Sequence, residues 1–171
     1  MIYLSIGSNL NSKFGDRFEN IRRSLKLLEN KKLKILKVSR FYETPSYPNK
    51  KLPKFINIAV KIDFLGSPIE LLKLMNLVEK KMDRVVTLNN EPRTLDIDII
   101  DFKSMITNTK LLTLPHPRTH ERNFVLMPLY EICPDWKHPV NNLKIDILIK
   151  NLTPTKRNEI TRIKESVILD L

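Results

Sequence analysis

The stretch EPRTLDIDII, residues 91–100, decides how this chain is read. Leu95, Ile97 and Ile99 alternate with polar positions, the two-residue period of a half-buried strand. Asp96 and Asp98 fill the alternate places, although aspartate is depleted in strands. Carboxylates at i and i+2 have Cα atoms about 6.5 to 7 Å apart and side chains parallel. Like charges so close repel unless a cation lies between them. Such a pair suits Mg2+, a hard ion that takes oxygen ligands and completes its shell with water and substrate phosphates. Arg93, just upstream, can fork onto a phosphate. The combination points to phosphoryl transfer, although Asp-x-Asp spacing alone is common and a solvated strand face is the plain alternative.

Working outward, the upstream sequence predicts five more elements. Residues 1–6 alternate as a first strand, and GSN at 7–9 is a turn. Phe14, Phe18, Ile21, Leu25 and Leu28 fall at helical spacing, predicting a helix over 16–30. Residues 33–44, rich in β-branched and aromatic side chains, read as a second strand. A loop over 43–54 holds Pro45, Pro48 and Pro53. Residues 55–64 alternate as a third strand. Ser67, Pro68 and Glu70 spell a capping box before a helix ending near Arg84. With 91–100 as the fourth strand, the order is βαββαβ. That order implies an α+β, ferredoxin-like split β-α-β domain of two layers, with helices on one sheet face and the other face open. Short C-terminal helices are expected near 123–132 and 143–150, and the tail over 155–171 is left open as helical or frayed. The whole chain, 1–171, is expected to be one domain.

Alternation assigns the faces. Ile56, Ile58, Val60, Ile62 and Phe64, with Leu95, Ile97 and Ile99, point at the helices. Phe55, Asn57, Ala59, Thr94, Asp96 and Asp98 share the opposite face, which therefore offers a ring, an amide and two carboxylates. A second chemical stretch is LPHPRTHERNFVLMPL, residues 114–129, where His116, Arg118, His120 and Arg122 precede Phe124. Cations beside an aromatic fit an anion site with a stacking wall, or else a basic surface loop anchored by Phe124 and Val125. There is no GxxxxGK[ST] loop, no Cys and His cluster at zinc spacing and no GxSxG elbow.

Composition narrows the partners. Thirty Lys and Arg against 19 Asp and Glu give a net charge of +11, which favours anionic ligands or serves solubility alone. One cysteine, Cys133, allows no internal disulfide and suits a cytoplasmic setting. No signal peptide is read in MIYLSIGSNL, and no apolar run approaches the roughly 18 residues of a membrane span, so no membrane partner is expected. No nucleic-acid partner is expected either. An RNA-binding domain of the same topology would carry the basic–Gly–aromatic RNP1 pattern, which is absent, and would not centre two acids on its open face.

IGSNL at 6–10, FYETP at 41–45, FIN at 55–57, PRTLDIDI at 92–99 and LPHPR..ERNFVLMPL at 114–129 together resemble the 6-hydroxymethyl-7,8-dihydropterin pyrophosphokinases of folate biosynthesis. The resemblance covers about residues 1–150, and PRTLDxD followed by PHP is its specific part. It implies transfer of pyrophosphate from ATP to a dihydropterin hydroxymethyl group with release of AMP, by a monomer. It implies that Asp96 and Asp98 hold two Mg2+ ions, with Arg84 and Arg93 assisting transfer. The pterin would lie between Phe55 and Phe124, read by Asn57 and Asp96 with help near Thr44, Pro45 and Tyr47. ATP would be met by Asn76, Glu79, Arg93, Ile99, Thr113, His116 and Arg122.

The chain departs from that pattern in one loop. Family members usually carry several basic residues there and end it in Arg-Trp-Gly, whereas residues 85–91 read VVTLNNE, with no Lys or Arg between Arg84 and Arg93. Leu111 also stands where some members have arginine. A weaker ATP site is therefore expected, by about 1 to 3 kcal/mol per lost charge-assisted bond. The extreme form of this expectation is a degenerate member that binds pterin without transferring pyrophosphate.

Overall fold

Strand β1 (Ile2–Ser8) is buried along its whole length, on both faces. It sits between β4 (Phe55–Phe64) and β5 (Asp96–Phe102), antiparallel to each. In the computed structural model, which describes residues 1–30, 32–85, 91–165 and 167, this trio is one end of a six-stranded antiparallel sheet, with β5 at its edge. Most of the 85–91 loop and the last residues of the tail fall outside the described residues.

On the far side of β4 lie two short strands, β2 (Leu33–Val38) and β3 (Tyr42–Thr44). The single strand expected over 33–44 is therefore interrupted. The cause is Ser39: its N–H donates to the Ala59 carbonyl at 2.9 Å, while its hydroxyl accepts the Ala59 N–H at 2.9 Å. A side chain thus takes a ladder bond and the strand restarts beyond it. Helix α1 (Arg17–Leu28) connects β1 to β2, with the Asp16 carboxylate accepting the Glu19 N–H at 2.9 Å. Helix α2 (Pro68–Lys81) connects β4 to β5 and starts on the expected capping box, in which the Ser67 hydroxyl and Glu70 carboxylate satisfy each other's N–H groups. Ile21, Leu25 and Leu28 of α1 and Leu71, Met75 and Val78 of α2 close one core against Ile2, Leu4, Ile6, Ile58, Val60, Ile97 and Ile99.

The other sheet face is not open. Helices α3 (Asn123–Ile132) and α4 (Ile145–Asn151) lie over it, and Val125, Leu126, Leu129, Ile132, Ile145 and Leu148 make a second core with Tyr3, Ala59 and Ile100. The two-layer expectation is corrected to helices on both faces. Ordinary alternation puts Ile99 in the first core and Ile100 in the second, and a register slip between Tyr3 and Leu4 in the β1–β5 pairing returns Phe102 to the first. β5 also begins at Asp96, five residues later than the start of the expected strand, because the Arg93 backbone is bonded to Asn9 and not to a ladder partner. Thr94 thus precedes the strand and is buried.

A two-stranded ribbon, β6 (Thr107–Asn108) and β7 (Thr113–Leu114), leads to a 3-10 turn at Thr119–Glu121. The tail forms α5 (Pro154–Asn158) and β8 (Thr161–Arg162), which pairs with β3, and the Ile163 N–H donates to the Phe41 carbonyl at 2.8 Å. Among the described residues no helix is long and apolar enough to cross a membrane.

Leu126 has no exposed surface. Leu126→Ala is expected to destabilise the protein by about 2 to 5 kcal/mol in urea unfolding, as for a buried leucine. A loss well under 1 kcal/mol would fit a sheet whose outer face is open.

Candidate active site

The register of three strands builds the floor of the site. Gly7 of β1 lies opposite Asn57 of β4 on one side and Asp96 of β5 on the other. Neighbouring strands are about 4.8 Å apart, so Asn57 and Asp96 stand roughly 10 Å apart on one face. Gly7, having no side chain, lets the Asn57 amide lie close against β1. A methyl group there would lie 2.8 Å from Asn57 Oδ1 and 3.6 Å from the Phe55 ring. Asn57 is buried, and its Nδ2 donates to Thr44 Oγ1 at 3.0 Å. The next row holds Ala59, Ser5 and Asp98, so both aspartates rise from the same face, two residues apart.

Cations reach these carboxylates from three separate segments. Arg84, just beyond α2, meets Asp96 Oδ1 at 2.8 Å. Arg93, in the loop before β5, meets Asp96 Oδ2 at 2.8 Å. Arg122, the residue preceding α3, meets Asp98 Oδ2 at 3.3 Å. The two arginines flanking the aspartates also rest on the two rings, with the Arg93 guanidinium carbon 5.3 Å from the Phe55 centroid and that of Arg122 5.4 Å from Phe124. Phe55–Arg93–Asp96 and Phe124–Arg122–Asp98 are thus parallel chains of contact ending on neighbouring carboxylates.

The electrostatics follow from crowding and desolvation. Burial, with Asp96 adding repulsion, pushes Asp98 up to about 6 despite Arg122, Arg93 and Arg84. Burial also lowers the pKa of Arg122. His116 is pushed down to about 4 by burial and by Arg122, so the ring is neutral at pH 7. Its Nδ1 lies 3.2 Å from the Arg118 N–H, and its Nε2 lies 3.4 Å from the Arg122 guanidinium and 3.8 Å from Asp98 Oδ2.

Glu79 is placed differently from a nucleotide ligand on a helix surface. It is buried, accepts the Ile97 N–H at 2.7 Å and pairs with Arg84. It therefore braces β5 and aims Arg84 at Asp96. Ile99 lies in the core, so only its main chain is placed to meet a ligand. Asn76 is exposed one turn before Glu79, Tyr47 is 73% exposed, and Thr113 Oγ1 donates to Asn108 Oδ1 at 3.0 Å. Pro45 is half-buried next to Thr44, and Leu111 is exposed. The arginine–aspartate cluster does not include Asn76, Tyr47 or Thr113.

Some site-building residues are not evident from the sequence. Gly7 admits the Asn57 amide against the floor, and its only signal is the IGSN turn. Asn9 and Asn20 are buried amides that hold the loop before β5: Asn9 Oδ1 accepts the Arg93 N–H at 2.8 Å and Asn20 Nδ2 donates to the Thr94 carbonyl at 3.3 Å. Nothing in residue spacing distinguishes them from surface asparagines.

Among the described residues no three His, Cys, Asp or Glu side chains converge on one point. The hard donors are two carboxylates with the rest of a coordination shell to be supplied from outside. That donor set fits Mg2+ carried with a phosphate ligand better than a metal caged by protein alone.

Glu79 gives a pH test. Burial, outweighing Arg84 and the Ile97 N–H, pushes it up from 4.5 to about 7. The folded protein therefore holds a proton there that the unfolded chain releases. This contribution to stability is full below pH 4.5 and is lost as pH rises through about 7. The melting temperature of the ligand-free protein is expected to fall over that window, less steeply in Glu79→Gln. An identical slope in the variant would contradict the assignment.

The model of the family described as 7,8-dihydro-6-hydroxymethylpterin-pyrophosphokinase (HPPK) matches residues 3–134. A Dictyostelium discoideum relative, "Folic acid synthesis protein FOL1", is 40% identical over 89% of this chain, which spans 22% of that protein. The Bacillus subtilis protein named 2-amino-4-hydroxy-6-hydroxymethyldihydropteridine pyrophosphokinase is 39% identical, with 77% of each chain covered. A solved Plasmodium falciparum HPPK-DHPS, crystallised with STZ-DHP, has a TM-score of 0.69 and 17% identity over 94% of this chain and 46% of its own, a likeness of fold. The spacing of PRTLDxD and PHP, the family match over most of the chain and the shared fold agree: this chain belongs to the 7,8-dihydro-6-hydroxymethylpterin-pyrophosphokinase family.

Proposed function

We propose that the chain transfers pyrophosphate from ATP to the hydroxymethyl oxygen of 6-hydroxymethyl-7,8-dihydropterin. The observation that carries this reading is the row Asn57–Gly7–Asp96, in which a residue without a side chain stands between an amide and a carboxylate on one sheet face. It lies beside a second carboxylate and three guanidiniums. A flat heterocycle with both donors and acceptors on its edge suits Asn57 and Asp96, and a ring lacking them would leave these groups unpaired. Phe55 and Phe124 supply aromatic faces for stacking, once the arginines that now rest on them turn to phosphate.

In this reading the pterin hydroxyl oxygen bonds to the β-phosphorus and gives up its proton to solvent, while the bond from that phosphorus to the α,β-bridging oxygen breaks and AMP leaves with that oxygen. Such transfers depend mainly on alignment and charge neutralisation. Asp96 and Asp98 would hold two Mg2+ ions, which when bound supply charge neutralisation at the phosphates. Arg84, Arg93 and Arg122 would bind phosphate oxygens, with Glu79 aiming the first of them. His116, neutral, would meet ribose or phosphate through Nε2. Asn76, Thr113 and the Ile99 main chain would line the nucleotide side, and Thr44, Pro45 and Tyr47 the pterin side.

The same reading takes the sheet as a split β-α-β of ferredoxin-like order. β1 and β2 are both antiparallel to β4, which separates them, and β4 and β5 are both antiparallel to β1. It also takes residues 1–171 as one domain acting as a cytoplasmic monomer on ATP and a dihydropterin. RNA is not favoured, because the face on which bases would stack is packed under α3 and α4 at Tyr3, Ala59 and Ile100.

The test is AMP release from ATP and Mg2+, with and without 6-hydroxymethyl-7,8-dihydropterin. AMP is expected only with the pterin, and Asp96→Ala is expected to reduce the rate at least ~100-fold, as when a developing charge loses its stabiliser. Pterin-independent AMP, or an active variant, would overturn the assignment. Pterin binding without AMP would mark a degenerate member.

A further inference from the structure

Asn9 lies one residue beyond β1 and is 2% exposed. Its amide is used at both ends. Oδ1 accepts the Arg93 N–H at 2.8 Å, while Nδ2 donates to Ser46 Oγ at 3.2 Å and to the Pro53 carbonyl at 3.1 Å. Its own N–H donates to the Arg93 carbonyl at 3.1 Å, so the two residues hold each other by main chain and side chain. Ser46 Oγ donates to the Pro53 carbonyl at 2.5 Å, which closes the far loop on itself at the point where Asn9 grips it. One buried side chain therefore ties the loop after β3 to the loop before β5.

Those two loops carry different duties in the function proposed above. The first holds Thr44, Pro45 and Tyr47 on the pterin side, and the second holds Arg93 on the phosphate side. Asn20 is a second buried amide, but it joins Ser12 and the Leu10 and Thr94 carbonyls, so it holds the phosphate side alone. Asn9 spans both.

We propose that Asn9 is a positioning residue that couples the pterin and ATP sites, an inference that rests on the pyrophosphokinase reading. A ligand that orders either loop orders Asn9, and through it the other loop, so the second ligand binds at lower entropic cost. The coupling is reciprocal: each ligand tightens the other by the same factor.

The experiment measures pterin and α,β-methylene-ATP affinities with Mg2+, each alone and in the presence of the other. In the wild type each ligand is expected to tighten the other at least about fivefold. Asn9→Asp keeps an acceptor for the Arg93 N–H and removes both donors to the far loop. The analogue alone is then expected to bind as in the wild type, pterin alone about tenfold more weakly, and the mutual tightening to vanish. Ser46→Ala, which removes one acceptor of Asn9 and the hydroxyl bond to Pro53, is expected to reduce the coupling in a protein that still folds with a slightly lower melting temperature, and it carries the test if Asn9→Asp does not fold. A wild type without mutual tightening would overturn the proposal. So would folded variants that weaken both ligands alike while keeping the coupling factor, the pattern of a merely structural residue. A wild type that binds neither ligand would overturn the pyrophosphokinase reading, and this inference with it.

Discussion

Two carboxylates two residues apart on one strand face repel each other, and the structure answers that repulsion with guanidiniums from three places in the chain. Arg84 comes from the end of α2, Arg93 from the loop before β5 and Arg122 from the start of α3. Each must be carried to β5 by a different connection, so the placing of α2, of the pre-strand loop and of α3 converges on Asp96 and Asp98. The result is a cluster balanced by its own charges. A phosphate ligand arriving with a cation offers both halves an exchange: the arginines gain phosphate oxygens and the aspartates gain the metal.

The sheet makes that exchange local. β1 is buried on both faces because helices cover the sheet from both sides, yet the second layer packs on Tyr3, Ala59 and Ile100 and leaves Gly7, Asn57 and Asp96 out of its core. The site lies where β1 has no side chain to offer. Gly7 lets the Asn57 amide approach the strand more closely than a Cβ would allow, beside the carboxylate of Asp96.

Much of this was legible in the sequence. β4 runs over the expected residues because its alternation is unbroken, α2 starts on its capping box, and α3 has the expected bounds. The aspartates, both phenylalanines, Arg93 and Arg122 were legible too, since acids in a strand and cations beside an aromatic stand out against their surroundings, whereas Arg84 was singled out through the family resemblance alone. What the sequence hid depends on partners distant along the chain. The break at Ser39 needs Ala59, and the late start of β5 needs Asn9. The burial of Glu79 needs the Ile97 N–H, which no helical periodicity reports. The covering of the second face depends on where α3 and α4 dock, and their short apolar runs do not say which surface they meet.

With no Lys or Arg in the sequence between Arg84 and Arg93, Arg84, Arg93 and Arg122 are the guanidiniums that meet the aspartates among the described residues. The account turns on those aspartates being held by arginine until phosphate arrives, and Mn2+ binding, followed by electron paramagnetic resonance, tests this most directly. Tight Mn2+ binding is predicted only with α,β-methylene-ATP present, and it is predicted to be lost in Asp98→Asn. Tight binding by the nucleotide-free protein, or binding with the nucleotide that ignores Asp98, would contradict the account.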